Sequence, residues 1–353
     1  MKAFTEPLLS LAGFEEMTKT AEKSSGLISV TGCIDAQKSQ MIYAFGGHRK
    51  NKLIVTFGEQ KAKELYDEYS FFDKEVVYYP SKDVLFYQSD IRGNLLTAER
   101  IRALKAIREQ ERVTLVTPFD ALMNTMAPIE KMWENVLTLE QGQLLDLKEI
   151  QAALIRMGYE KEYQVQTMGQ FSVRGGILDV FPLTEENPIR IELWGDEVDS
   201  IRSFDAESQR SLENLDEIAI YPAVEWTSGK RLVSFPDYFP REKTLLFLDE
   251  PNRILENGLG VEEEYRQSRM HREEKGEQDL PVQWLCEFSK VQKELNKCRA
   301  VSLSALEPRA VEWNFAPEKF NLTVQSVTSY NSSFELLVED LKKYKKQGYQ
   351  IAL

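Results

Sequence analysis

The strongest chemical signal in the chain is an octet that follows a short apolar run. Gly32-Cys33-Ile34-Asp35-Ala36-Gln37-Lys38-Ser39 comes directly after Leu27-Ile28-Ser29-Val30-Thr31 and has the spacing of a phosphate-binding loop, G-x-x-x-x-G-K-[ST]. In such a loop the glycines let backbone N–H groups wrap phosphate, the lysine neutralises it and the hydroxyl holds Mg²⁺. Gly32, Lys38 and Ser39 stand in place, but Gln37 replaces the second glycine and Asp35 sets a carboxylate where polyphosphate would lie. The octet reads as the relic of a P-loop, with a chance match and a working site as alternatives. Leu245-Leu246-Phe247-Leu248-Asp249-Glu250 has the form of a second nucleotide motif, a buried strand ending in acids that would position Mg²⁺ and water. The same acids equally suit the start of a helix with Pro251 in its first turn.

A different chemistry is written in Pro188-Ile189-Arg190-Ile191-Glu192-Leu193-Trp194. Strand alternation gives Ile189, Ile191 and Leu193 one face and Arg190, Glu192 and Trp194 the other. An exposed arginine beside an exposed tryptophan is the composition of a protein-binding hot spot. The bland alternative has Trp194 packed under a loop and Arg190 solvating the sheet, and periodicity does not say which face is wet. Arg174 precedes Gly175-Gly176, where a bulge would re-aim it.

Other chemistries find little support. The two histidines, His48 and His271, are far apart and have no cysteine partners, against a zinc site or a histidine-based triad. The three cysteines, Cys33, Cys286 and Cys298, are scattered and odd in number, which fits a reducing cytoplasm and not a disulfide framework. No apolar run approaches the roughly 20 residues of a membrane span, and the N-terminal segment has no signal-peptide pattern. With Lys+Arg 44 against Asp+Glu 57, the net charge of −13 disfavours tight autonomous DNA binding, which needs a basic field, and favours a protein partner.

The elements that must hold these residues come in three textures. Apolar strands at Leu27–Thr31, Leu53–Phe57, Glu75–Tyr79 and Val113–Val116 alternate with helical patterns at Glu59–Tyr69 and Thr97–Glu109, predicting βαβ units and a mainly parallel sheet. Past Pro128 a helix at Leu147–Met157 leads into a strand-rich run to Tyr221 with turns at Gly175-Gly176, Asn187-Pro188 and Gly195-Asp196, predicting an antiparallel sheet. The first texture then returns. A strand at Thr244–Leu248 precedes a charged helix at Glu262–Glu277, a helix carrying Trp284, Leu285, Phe288, Val291 and Leu295, and a strand at Ala300–Leu303. Phe334–Lys346 forms an amphipathic helix before a strand beginning at Tyr349–Leu353, which suggests a following domain cut short. The expectation is an α/β, P-loop NTPase-like (RecA-like) parallel-sheet domain, degenerate at its nucleotide site and interrupted by an inserted α+β domain. The expected divisions fall at residues 1–127, 128–222, 223–327 and 328–353.

Phe171-Ser172-Val173-Arg174-Gly175-Gly176-Ile177-Leu178-Asp179-Val180-Phe181-Pro182 and Arg190-Ile191-Glu192-Leu193-Trp194-Gly195-Asp196-Glu197-Val198-Asp199-Ser200-Ile201-Arg202 resemble domain 2 of the excision-repair protein UvrB. Phe204-Asp205-Ala206-Glu207-Ser208-Gln209-Arg210-Ser211 is more similar to the UvrB-homology region of the transcription-repair coupling factor (Mfd) family, whose parts are called 1a, 2 and 1b. The resemblance implies a non-catalytic module that docks onto UvrA through Arg174, Arg190 and Trp194 and recruits excision repair to a stalled RNA polymerase. It implies a degenerate nucleotide site at Gly32, Gln37, Lys38, Ser39, Asp249 and Glu250, and no cofactor in this segment. ATP and Mg²⁺ would serve a translocase in downstream domains, which would also bind polymerase and make intramolecular contacts with this module. The alternative is a functional UvrB-like ATPase that clamps damaged DNA. Gln37 and a Tyr79–Ile91 connection too short for UvrB's DNA-clamping hairpin depart from that pattern.

Overall fold

The computed structural model describes residues 2–11, 13–23, 27–46, 51–82, 93–225, 232–239, 243–276, 285–307, 313, 318–324, 330–349 and 351. Helices α1 (Lys2–Leu9) and α2 (Phe14–Lys23) precede β1 (Leu27–Thr31), α3 (Asp35–Gly46), β2 (Asn51–Thr56), α4 (Glu59–Tyr69), β3 (Val77–Tyr78), α5 (Gly93–Glu109) and β4 (Val113–Pro118). The chain then passes through α6 (Phe119–Met123), β5 (Thr125–Met126), α7 (Ile129–Trp133), β6 (Leu137–Glu140) and α8 (Leu147–Arg156). A strand-rich part follows: β7 (Glu160–Lys161), β8 (Gln170–Arg174), β9 (Ile177–Val180), β10 (Ile189–Trp194), β11 (Glu197–Phe204), β12 (Ser211–Leu215) and β13 (Glu217–Ile220). The last stretch holds β14 (Val233–Ser234), β15 (Thr244–Asp249), α9 (Pro251–Glu274), α10 (Phe288–Leu295), β16 (Arg299–Ser304), β17 (Glu318–Asn321) and α11 (Phe334–Lys346).

Seven strands form one parallel sheet in the order β17-β1-β16-β15-β2-β4-β3. Its inner strands are near-continuous apolar runs because helices cover both faces. Leu27 pairs with Ala300 and Leu246 with Leu53, so strands from both ends of the chain build a single sheet. The intervening segment makes a second sheet, β12-β11-β10-β9-β8-β7, antiparallel except between β7 and β8. The expected class, a parallel α/β sheet interrupted by an antiparallel insertion, is the observed one. In the second sheet Ile189, Ile191, Leu178, Val180, Val198 and Ile201 point inward, where α8 contributes Ile150 and Leu154 to the same core. Asp146 caps α8 by accepting from Lys148 N, a bond worth roughly 1 kcal/mol.

Where the chain leaves the second sheet, a buried ionic knot fixes it to α5. Arg100 is wholly buried and pairs with Glu225, which also takes Lys82 at 3.0 Å; Arg100 Nη1 donates to Pro80 O at 2.5 Å. Burial alone would raise the Glu225 carboxyl, but Arg100 and Lys82 bring it down to about 2.

Several local expectations need correction. Gly175-Gly176 is an ordinary two-residue hairpin turn, with Arg174 paired to Ile177, and no bulge re-aims Arg174. Only Val77–Tyr78 of the Glu75–Tyr79 run is strand. Leu285 precedes α10 and forms an isolated bridge to Asn124, while Trp284 lies outside the described residues. Tyr349 and Ile351 are not strand, and the remainder of that expected element lies outside the described residues, as do His48 and residues 83–91 of the Tyr79–Ile91 connection. Among the described residues no helix is long and apolar enough to cross a membrane.

Candidate functional site: an open docking face and a closed phosphate cradle

The phosphate-loop octet lies at the carboxyl edge of the parallel sheet, where open α/β sheets bind ligands. Thr31, Thr56, Asp249 and Ser304 end neighbouring strands there. The loop does not wrap a space, because α3 begins at Asp35, only three residues beyond Gly32. Gln37 N donates to Ile34 O at 3.0 Å and Cys33 N to Ser304 O at 3.1 Å, so these two N–H groups already have partners. A glycine at 37 would favour an open loop, whereas glutamine sits readily in a helical turn. Gly32 has φ +78°, and a Cβ there would stand 2.0 Å from Leu322 O. The glycine is thus required by the strand β17 and its exit at Leu322, whose N–H donates to Thr31 O at 2.9 Å.

Lys38 is 1% exposed and is held by three acids: Asp249 at 2.6 Å, Glu250 at 2.8 Å and Asp35 at 2.9 Å. Burial works against its charge, yet the three carboxylates raise its pKa above the ordinary lysine range. Asp249 accepts a second bond from Thr56 Oγ1 at 2.8 Å, and Ser39 Oγ donates to Glu68 at 3.1 Å. Glu250 occupies the N-cap position of α9 with φ 56°, but its side chain makes no cap bond. That side chain instead accepts from Lys38 and from Ala305 N at 2.8 Å. The side chains of Lys38, Ser39, Asp249 and Glu250 are therefore each engaged by another part of the chain. A cleft of about 490 Å³ remains beside it, lined by Asp35, Lys61, Glu64, Glu250 and Arg253 among others. Its three carboxylates face two cations, an environment poorly suited to polyphosphate.

The outward face of the second sheet is arranged in transverse rows. Cross-strand pairing lines up Ser172, Asp179, Arg190 and Arg202 in one row. A second row, two residues along, holds Arg174, Ile177, Glu192 and Ser200. Asp179 is only 1% exposed and is the hub: it takes Arg190 Nε at 2.6 Å, Arg190 Nη2 at 2.8 Å and Arg174 Nη2 at 2.7 Å. Arg190 also donates to Gln209 Oε1 at 2.9 Å and lies 4.4 Å above the Phe204 ring. The bond to Asp179 raises the Arg190 pKa further. Arg202 grips Glu192 with bonds of 2.5 and 2.9 Å, which lower the Glu192 pKa.

Trp194 ends β10 on this face. A register shift between Glu192 and Leu193 adds Asp199 to β11 without changing the parity of β10. The side chain is 85% exposed, so it does not pack under a loop. The structure thus brings Arg174, Arg190 and Trp194 onto one face. It also corrects the picture of Arg190 as a freely solvated cation: its side chain is 14% exposed and pinned on Asp179. Sequence reading missed Asp179, Gln209 and Phe204. The signal for Asp179 was an acid in the middle of Ile177-Leu178-Asp179-Val180, on the opposite parity from the buried Leu178 and Val180. Gln209 carried no pattern, since its position depends on a φ of 60° in a loop.

Residues 137–226 match the family described as the UvrB interaction domain. The transcription-repair-coupling factor of Staphylococcus aureus (strain USA300) is 35% identical over 225 residues, 63% of this chain and 19% of that protein. That of Staphylococcus haemolyticus (strain JCSC1435) is 35% identical over 202 residues, 56% of this chain and 17% of that protein. The match spans about a fifth of the length of these curated relatives. As the sequence motifs imply, residues 137–226 are similar to the UvrB interaction domain, within a longer stretch similar to the transcription-repair-coupling factors.

Proposed function

We propose that this chain is a non-catalytic docking module that binds UvrA through the outward face of its second sheet. In this reading it serves transcription-coupled nucleotide excision repair in the cytoplasm, bringing the excision machinery to a stalled RNA polymerase that other domains engage. The observation that carries the proposal is Trp194, 85% exposed beside the Arg174–Asp179–Arg190 network and inside the UvrB interaction domain. A preorganised backbone presents a large flat apolar group next to arginines already fixed in direction, so little entropy is lost when a partner docks. The Lys38 cage speaks against the alternative of a UvrB-like ATPase, because a nucleotide would first have to break three ion pairs. No cofactor is assigned to this segment. The test is a pull-down of UvrA by the parent chain and by Arg174→Ala, Arg190→Ala and Trp194→Ala. The parent should retain UvrA and each variant should lose most of it; retention by all three would refute the site.

A further inference from the structure

Leu144 lies outside the motifs that carry the resemblance, yet it is 75% exposed on the same face as Trp194. Residues 142–145 run as an extra rung beside the start of β11. Gly142 N donates to Val198 O at 2.8 Å, Val198 N to Gln143 O at 2.9 Å, and Leu145 N to Asp196 O at 2.7 Å. Leu144 bridges Glu197 in antiparallel fashion, and Glu197 is in turn paired with Trp194. Directly paired residues share a face, so Leu144, Glu197 and Trp194 form a third transverse row. The neighbour Leu145 is buried in the core, as the alternation requires. Two strand spacings separate Leu144 from Trp194, about 10 Å.

The rung is not a loose loop. Gln141 Nε2 donates to Asp199 O at 2.8 Å and Glu140 N to Gln143 Oε1 at 3.0 Å, in addition to the three backbone bonds. A leucine displayed on so fixed a backbone gains nothing for the fold, since its side chain packs on little. On the far flank of Trp194 the turn Gly175-Gly176 has no side chains, and space above Gly175 is open. The tryptophan is therefore bare on one side, and on the other the exposed Glu197 stands between it and Leu144.

We propose that Leu144 is a second apolar anchor of the docking face, and that the partner meets this row with two apolar pockets, one for Leu144 and one for Trp194, separated by a hydrogen-bond donor or cation that answers Glu197. This rests on the docking function proposed above, and its occupant is that same partner, UvrA. The continuity of the row with the Arg174–Asp179–Arg190 network, and the position of Leu144 within residues 137–226, identify this occupant over any other. The Trp194 pocket ends beside carboxylates that answer Arg174, whose outer N–H groups are the least enclosed of the network.

The test is a binding titration of the whole chain against purified UvrA, with Leu144→Ser, Leu144→Met and Trp194→Ala, each checked for an unchanged melting curve. Burying a leucine side chain against a partner accounts for about 10- to 30-fold in affinity. Leu144→Ser should therefore bind at least 10-fold more weakly, Leu144→Met should bind within about 3-fold of the parent, and Trp194→Ala should lose more than either. If Trp194→Ala weakens binding while Leu144→Ser leaves it within 2-fold, the second anchor is overturned and the docking function stands. If neither variant weakens binding, both are overturned. Loss of binding by Leu144→Ser alone would also overturn the paired pockets.

Discussion

Replacing Lys38 by alanine separates the closed cradle from a working one. In a protein that uses the lysine for phosphate, its loss removes ligand binding and barely changes the free protein. Here the lysine is a structural cation. Its removal leaves Asp249, 1% exposed, with Thr56 as its remaining side-chain partner among the described residues, and leaves Glu250 with Ala305 N. Asp35 is well exposed and contributes little, because water screens it. Breaking one buried pair by deleting a partner costs about 3–5 kcal/mol. Melting temperatures move about 2–4 °C per kcal/mol for units of 150–250 residues and less for larger ones, so the expected fall is about 5–10 °C. Lys38→Met combined with Asp249→Asn, which removes both charges and keeps an acceptor for Thr56, should recover more than half of that loss. Differential scanning fluorimetry measures both. A Lys38→Ala melt within 1 °C of the parent would refute the reasoning, as would stabilisation of the parent by millimolar ATP.

Other outcomes follow from the same structure. The parent should give no saturable ATP isotherm in calorimetry, and a binding curve abolished by Lys38→Ala would contradict the closed cradle. Glu225, held at about 2 against an ordinary 4.5, contributes stability that is complete above pH 4.5 and lost as pH falls towards 2. The shift corresponds to on the order of 3 kcal/mol. Glu225→Gln should flatten the acid limb of the stability curve while destabilising at neutral pH, and an unchanged limb would exclude this carboxylate as its source. Amides of α11, which has no buried residue, should exchange well before those of β2, and equal protection would show that the helix is covered in solution.

Much of the fold was legible because burial on two faces writes continuous apolar runs. β1, β2, β4, β15 and β16 were placed within three residues at either end, and α4 and α11 to the residue. β17 was not legible: Glu318-Lys319-Phe320-Asn321 is an exposed edge strand with no apolar pattern, yet it seals Gly32. The damage to the phosphate loop could be read from Gln37 and Asp35, but the fate of Lys38 could not. Its cage joins residues more than 200 positions apart, and only the order of strands brings them together. On the outward face of the second sheet, alternation put Arg190 and Trp194 on the same side of β10, where the structure has them. It could not show that Arg190 is spent on Asp179, which changes the expected effect of its removal. Arg190→Ala should weaken the fold by about 1–3 kcal/mol as well as binding, because among the described residues Asp179 then keeps Arg174 alone as an ion-pair partner.

Trp194 carries no such double duty, since its exposed side chain supports nothing in the fold. Calorimetric titration of UvrA with the parent chain and with Trp194→Ala, both at matched melting temperature, therefore tests the docking account most directly. Truncating a central aromatic anchor typically removes about 2–4 kcal/mol of binding free energy, roughly 30- to 1000-fold in affinity. The account predicts saturable binding by the parent, weakened at least 30-fold by Trp194→Ala with the fold intact. Equal affinities for the two chains, or no binding by the parent, would contradict it.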